Sequence, residues 1–164
     1  MKEEKGQLSG ESMLLVGSLI VVLMISIFMI ANENELNIAM AAAKSGADEG
    51  VASSSSAIYP KETFNEYDDR EGLKHPYSVS IVNVSYNSSG IDENYGKQKI
   101  QFKVYAKASV DYNKKELDSI GDRINYNLRK SVATSFNTTD STNKLYNPVF
   151  SNNYVFTTAN VVWV

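Results

Sequence analysis

The chain is predicted to belong to the α+β class: a long N-terminal transmembrane α-helix followed by a small C-terminal domain with an antiparallel β-sheet and one packed helix. Three observations predict it. Residues 12–32 carry no charged side chain. Residues 98–112 alternate apolar or small with polar positions, Ile100, Phe102, Val104, Ala106 and Ala108 against Lys99, Gln101, Lys103, Lys107 and Ser109, which is the period of a half-buried strand. Leu117, Ile120, Ile124, Leu128 and Val132 recur every three or four residues, the period of one helix face.

The first helix follows from length and composition. At 1.5 Å of rise per residue, an apolar run of 19 residues from Met13 to Ala31 is long enough to cross a hydrocarbon core of about 30 Å. Beyond the run, Leu36, Met40, Ala43, Ala47, Val51, Ser54 and Ile58 keep a helical step, so the helix is expected to continue to about residue 58. Tyr59-Pro60 is the expected stop, because the residue before a proline is pushed out of the α region. Such a rod of roughly 75–80 Å is not expected to bury itself. Ala39, Ala43 and Ala47 form one row of small residues, and Ala42, Gly46 and Gly50 another. Each helical glycine costs about 1 kcal/mol relative to alanine, so the two glycines imply close approach of a neighbouring helix backbone.

The head, residues 59–164, has the size of one domain. Tyr77–Tyr86 is a predicted strand whose alternation changes phase near Ile81 and Val82, as a bulge produces. Asn87-Ser88-Ser89-Gly90 and Asn94-Tyr95-Gly96 supply turn residues before the strand at 98–112, which predicts an antiparallel pair. A helix over 114–135 follows, with Asn113 as its N-cap, and its apolar stripe is expected on the sheet. Val149-Phe150, Tyr154-Val155-Phe156 and Val161–Val164 predict two or three further strands. Residues 61–76 and 137–148 read as surface loops.

Composition excludes several kinds of chemistry. The chain has no cysteine, so it offers neither a disulfide nor a thiolate ligand or nucleophile. The single histidine, His75, has no second histidine for a metal site, and no glycine-rich phosphate loop is present. Asp68-Asp69-Arg70-Glu71 and Asp92-Glu93 lack calcium-loop spacing. No catalytic set emerges, and neither a cofactor nor a nucleic-acid partner is expected. Lys97, Lys99, Lys103 and Lys107 read as the solvent face of a strand, kept charged against edge pairing; the alternatives are docking onto the acidic patch of a neighbouring rod, around Glu33 and Glu35 or Asp48 and Glu49, and attraction to nucleic acid or an anionic surface. Over residues 7–58 five carboxylates, Glu11, Glu33, Glu35, Asp48 and Glu49, stand against Lys44 alone.

The start of the chain is the most specific feature. Gly6 is followed by Gln7, Ser9, Glu11 and Leu15, a Q-x-S-x-E-x-x-x-L pattern, and the apolar run begins directly afterwards. This resembles the class III signal peptide of archaeal type IV pilin precursors. The resemblance covers about the first 30 residues. It implies a leader, residues 1–6, cut after Gly6; a helix, residues 7–58, whose part at about 12–32 spans the membrane and later forms a filament core; and an extracellular head, residues 59–164. Gln7, Ser9, Glu11 and Leu15 would then serve peptidase recognition and assembly. The resemblance further implies a prepilin peptidase, an assembly ATPase and a membrane platform protein as partners. The precursor would sit in the cytoplasmic membrane with its N-terminus inside, and the mature chain in a homopolymeric surface filament used for adhesion. In such subunits the residue at Glu11 is thought to answer the amino terminus of the next protomer. An N-terminal Gln7 can also cyclise to pyroglutamate, removing that charge.

Three sequons, at Asn83, Asn87 and Asn137, satisfy the N-x-Ser/Thr rule. The resemblance makes them glycosylation candidates. Two other readings of the N-terminus stand beside it. Ala39-Met40-Ala41 and Ala41-Ala42-Ala43 are small-x-small sites for an ordinary signal peptidase, although the apolar run exceeds the usual 7–15 residues. An uncleaved single-span anchor is the other. The competitor from another class is a membrane-anchored extracytoplasmic binding module that uses the leader only for processing, and a minor pilin or tip adhesin lies between it and a major subunit.

Overall fold

A computed structural model describes residues 3–52 and 78–164, with side chains from Gly10 onward. The α+β class is as predicted. The order is α1 (Glu3–Ala52), β1 (Val79–Asp92), β2 (Lys97–Ala108), α2 (Lys114–Ser135), a 3₁₀ turn (Thr139–Ser141), β3 (Val149–Phe150), β4 (Tyr154–Thr158) and β5 (Val162–Trp163). Contacts divide the chain into two units, Met1–Leu36 and Asn37–Val164. The expected helix end near Tyr59-Pro60, the domain boundary at 58/59, His75 and the acidic cluster at 68–71 lie outside the described residues.

In the second unit β1 and β2 form the predicted antiparallel pair. The phase change at Ile81 and Val82 is a bulge: the register shifts between Ile81 and Asn83. Asn87-Ser88-Ser89-Gly90, expected as a turn, instead stays in β1 and causes a second irregularity, with Gly90 at φ 84°. The turn itself is tighter. Gly96, at φ 63°, donates its N–H to the Asp92 carbonyl at 2.8 Å, and the Asp92 carboxylate accepts from the Asn94 N–H at 3.0 Å. The second strand ends at Ala108 rather than at 112, because Ser109 leaves the ladder and bonds the Ser78 carbonyl through both its N–H and its hydroxyl.

Strand order is β1-β2-β4-β3, with β5 also on β2. Both β4 and β5 run parallel to β2, while β3 and β4 form an antiparallel hairpin around Ser151-Asn152-Asn153. The sheet is therefore mixed where an antiparallel one was expected. Helix α2 returns the chain to β3, and the β3–β4 hairpin reverses it once more, so that β4 pairs with β2 in parallel. β4 and β5 behave as one strand broken by a bulge: Gln98 pairs with Tyr154, yet Tyr105 pairs with Val162, a slip of one residue.

Helix α2 starts where the sequence places it. The Asn113 side chain accepts from the Glu116 N–H, and the Glu116 carboxylate accepts from the Asn113 N–H, both at 2.9 Å, a reciprocal capping box. Its stripe Ile120, Ile124, Leu128 and Val132 is buried, and the helix packs on β3 and β4. Buried Ile100, Phe102, Val104 and Ala106 of β2 complete the core, with Phe156 stacked between Phe102 (5.7 Å) and Phe136 (5.8 Å).

Candidate assembly and processing surface

The first unit is a surface before it is anything else. Every large apolar side chain from Met13 to Ile30 is exposed, between 48% and 77%. The helix is long and apolar enough to cross a membrane. Its polar side chains ask little of a neighbour: the Ser18 hydroxyl donates to the Leu15 carbonyl at 2.8 Å and that of Ser26 to the Val22 carbonyl at 2.9 Å. Nothing lies within 4 Å of a Cβ placed at Gly10 or Gly17. Residues 13–30 thus form an exposed apolar cylinder.

Gly6, Gln7 and Ser9 lie in the first turns of α1 as backbone. Glu11 and Leu15 are exposed on the same helix, and Glu11 has no ion-pair partner among the described residues. A carboxylate at the edge of an apolar helix would cost roughly 2.5–3.5 kcal/mol if drawn to the centre of a bilayer.

The small-residue rows behave differently from the expectation. Ala39, Ala42, Ala43, Gly46, Ala47 and Gly50 are buried, while Leu36, Met40 and Val51 of the expected stripe flank them half-buried. Their neighbour is the chain's own α2. A Cβ on Gly46 would stand 2.6 Å from the Asn127 carbonyl oxygen and 2.8 Å from the Leu128 Cα; one on Gly50 would stand 2.9 Å from the Ile124 Cα. Close helix packing is present as expected, but within one chain, so the lower part of α1 does bury itself. Small side chains permit that approach.

The three sequon asparagines are exposed. Asn83 and Asn87 pair with Tyr105 and Gln101, so both point to the sheet face opposite buried Val104 and Phe102. Asn137 follows the end of α2 at φ 53°, a conformation asparagine tolerates. The lysines on that outer face do not act as one stripe. Lys97 donates to the Ser151 carbonyl, Lys99 pairs with Asp92 at 3.6 Å, and Lys103 lies 5.4 Å from the Tyr105 ring centre. Lys103 and Lys107 are exposed, as a solvent face requires. Among the described residues no group of three or more His, Asp or Glu side chains is placed to hold a metal.

Arg123, Asn125 and Arg129 are buried polar residues of α2 that carry no signal in the sequence. Arg129 donates from Nε to the Leu145 carbonyl at 3.0 Å and from a terminal nitrogen to the Thr158 hydroxyl. Burial lowers its pKa to about 10, partly offset by Asp122 and Tyr126. Asn125 donates to the Ala159 carbonyl at 2.9 Å, satisfying the group that the β4–β5 break frees. Polar positions on a helix read as outward-facing until the strand break that needs them is known. Neither a family model nor a curated protein nor a solved structure matches this chain.

Proposed function

We propose that this chain is the structural subunit of an archaeal type IV pilus, made as a membrane precursor and polymerised through α1. The observation that carries the reading is the order at the N-terminus: Gly6, then Gln7, Ser9, Glu11 and Leu15, then a span whose large apolar side chains are exposed. A peptidase cutting after Gly6 discards the leader and keeps the span, whereas a secretory cut discards it. The secretory alternatives fit the head poorly. A cut after Ala41 or Ala43 would run through the face that packs on α2.

Before assembly the span holds the subunit in the cytoplasmic membrane. Twelve Leu, Ile, Val and Phe residues lie between Leu14 and Ile30, which at −0.3 to −0.6 kcal/mol each favour insertion by about 4–7 kcal/mol. Assembly exchanges lipid for neighbouring spans, a step driven by packing rather than by hydrophobicity. Glu11 pairs with the Gln7 amine of the next subunit and sets the stagger; if Gln7 cyclises, Glu11 accepts hydrogen bonds instead. The head coats the filament, with Asn83, Asn87 and Asn137 as its glycan acceptors, and serves adhesion. The peptidase, ATPase and platform protein supply the cut and the energy.

Purified surface filaments, digested and read by mass spectrometry, test this. The reading expects peptides of this chain as the dominant component, and loss of the filaments when the chain is deleted. Filaments of normal abundance that contain none of it would contradict the reading.

A further inference from the structure

Lys114, Asp118, Gly121, Asp122 and Asn125 of α2 face Asn160 and Trp163 of the C-terminal stretch across a groove of about 420 Å³, within the range of small-molecule sites. Asp118 and Asp122 are four residues apart and share one helix face. Gly121 keeps the wall low: a Cβ there would touch Val161 at 3.4 Å and Trp163 Cζ2 at 4.0 Å. Asn125 is 5% exposed; its amide nitrogen is committed to the Ala159 carbonyl, and its Oδ1 has no partner. Native interiors rarely leave a buried amide oxygen unpaired.

The lining selects a chemical class. Two carboxylates outnumber the single Lys114 ammonium on the lining, a balance that disfavours anions, phosphates included. They are too few for a cation site, since no third acidic or imidazole ligand is grouped with them. The mixed lining disfavours a purely apolar ligand. What fits is a ring with an apolar face for the indole and several hydroxyls for Asp118, Asp122 and Asn160. We propose that this groove binds a neutral pyranose saccharide, stacked against Trp163 and held through its hydroxyls by Asp118 and Asp122. The site lies wholly within Asn37–Val164 and does not depend on filament assembly.

Trp163 is the single tryptophan, so its emission reports the site without interference from another indole. The full chain, held in a zwitterionic rather than a glycosidic detergent, is titrated with glucose, galactose, mannose and N-acetylglucosamine. At least one sugar is expected to give a saturable emission change with a millimolar midpoint. Asp118 is exposed, so Asp118→Asn leaves the fold intact; it should weaken that midpoint by about tenfold, the loss of a charge-assisted hydrogen bond. No saturable change with any of the four up to about 100 mM, an equal response to the acyclic polyol sorbitol, or a midpoint unmoved by Asp118→Asn would each overturn the proposal.

Discussion

Replacing glycine by alanine at three helical positions gives the same gain and three different costs. In a helix interior the exchange is worth about 1 kcal/mol by propensity alone. At Gly121 the new methyl meets only side-chain atoms at 3.4 Å and beyond, ordinary van der Waals contact, so the gain survives. At Gly50 it lies 2.9 Å from the Ile124 Cα and 3.3 Å from the Arg123 carbonyl oxygen, and a cost of about 1–2 kcal/mol cancels the gain or slightly exceeds it. At Gly46 three atoms stand at 2.6, 2.7 and 2.8 Å, two of them backbone. Neither helix can yield by moving a rotamer, so the upper end of the overpacking range, about 3 kcal/mol, applies and the net loss is about 2 kcal/mol. For a unit of this size 1 kcal/mol moves the midpoint by roughly 3–5 °C. Thermal unfolding of the detergent-held full chain, followed by Trp163 emission, should therefore rank Gly121→Ala above wild type, Gly50→Ala at or slightly below it, and Gly46→Ala some 6–10 °C below. A Gly46→Ala midpoint as high as that of Gly121→Ala would refute the α1–α2 contact and leave propensity as the only effect.

Further predictions concern α2 and its surroundings. Asn113→Ala removes the side-chain half of the capping box, leaving the Asn113 N–H on the Glu116 carboxylate, and should cost about 1 kcal/mol in urea unfolding, with Asn113→Asp close to wild type. Arg129→Ala leaves the Leu145 carbonyl and Thr158 hydroxyl without their donor and opens a cavity; a loss of about 3 kcal/mol is expected, with Arg129→Lys recovering only part. Tyr126 has its pKa raised above 10.0, first by burial and then by Tyr146, so its contribution is fully present below pH 10 and lost as pH rises through the folded value. Tyr126→Phe should accordingly flatten the alkaline fall in the urea midpoint, and an unchanged slope would show that another group titrates there.

What could be read from the residues, and what could not, divides along physical lines. Local signals survived because local chemistry decides them. The Asn113 cap, the stripe from Leu117 to Val132 and the bulge at Val82 all depend on neighbours a few positions away. The turn at Asn87–Gly90 failed because its residues tolerate a bulge as readily as a turn, and pairing with β2 continued to Asp92. Parallel pairing of β4 and β5 with β2 was hidden, since periodicity is blind to strand direction. The glycines of α1 announced a close contact, yet composition cannot say whether the partner belongs to the same chain. The groove at Trp163 was invisible for a related reason: Asp118 and Trp163 lie far apart in sequence, and only the α2 crossover brings them together. Gln7 and Glu11 are the opposite case. Their meaning lies in a sequence pattern addressed to other proteins, and a folded single chain adds only that Glu11 has no partner of its own among the described residues.

The position of the cut carries the functional reading, and the N-terminal peptide of the mature protein reads it directly. Mass spectrometry of the cell-surface form should find a chain beginning at Gln7, as glutamine or pyroglutamate, with residues 1–6 absent. A mature chain that begins at Met1, or at Ala42 or Lys44 after a secretory cut, would contradict it.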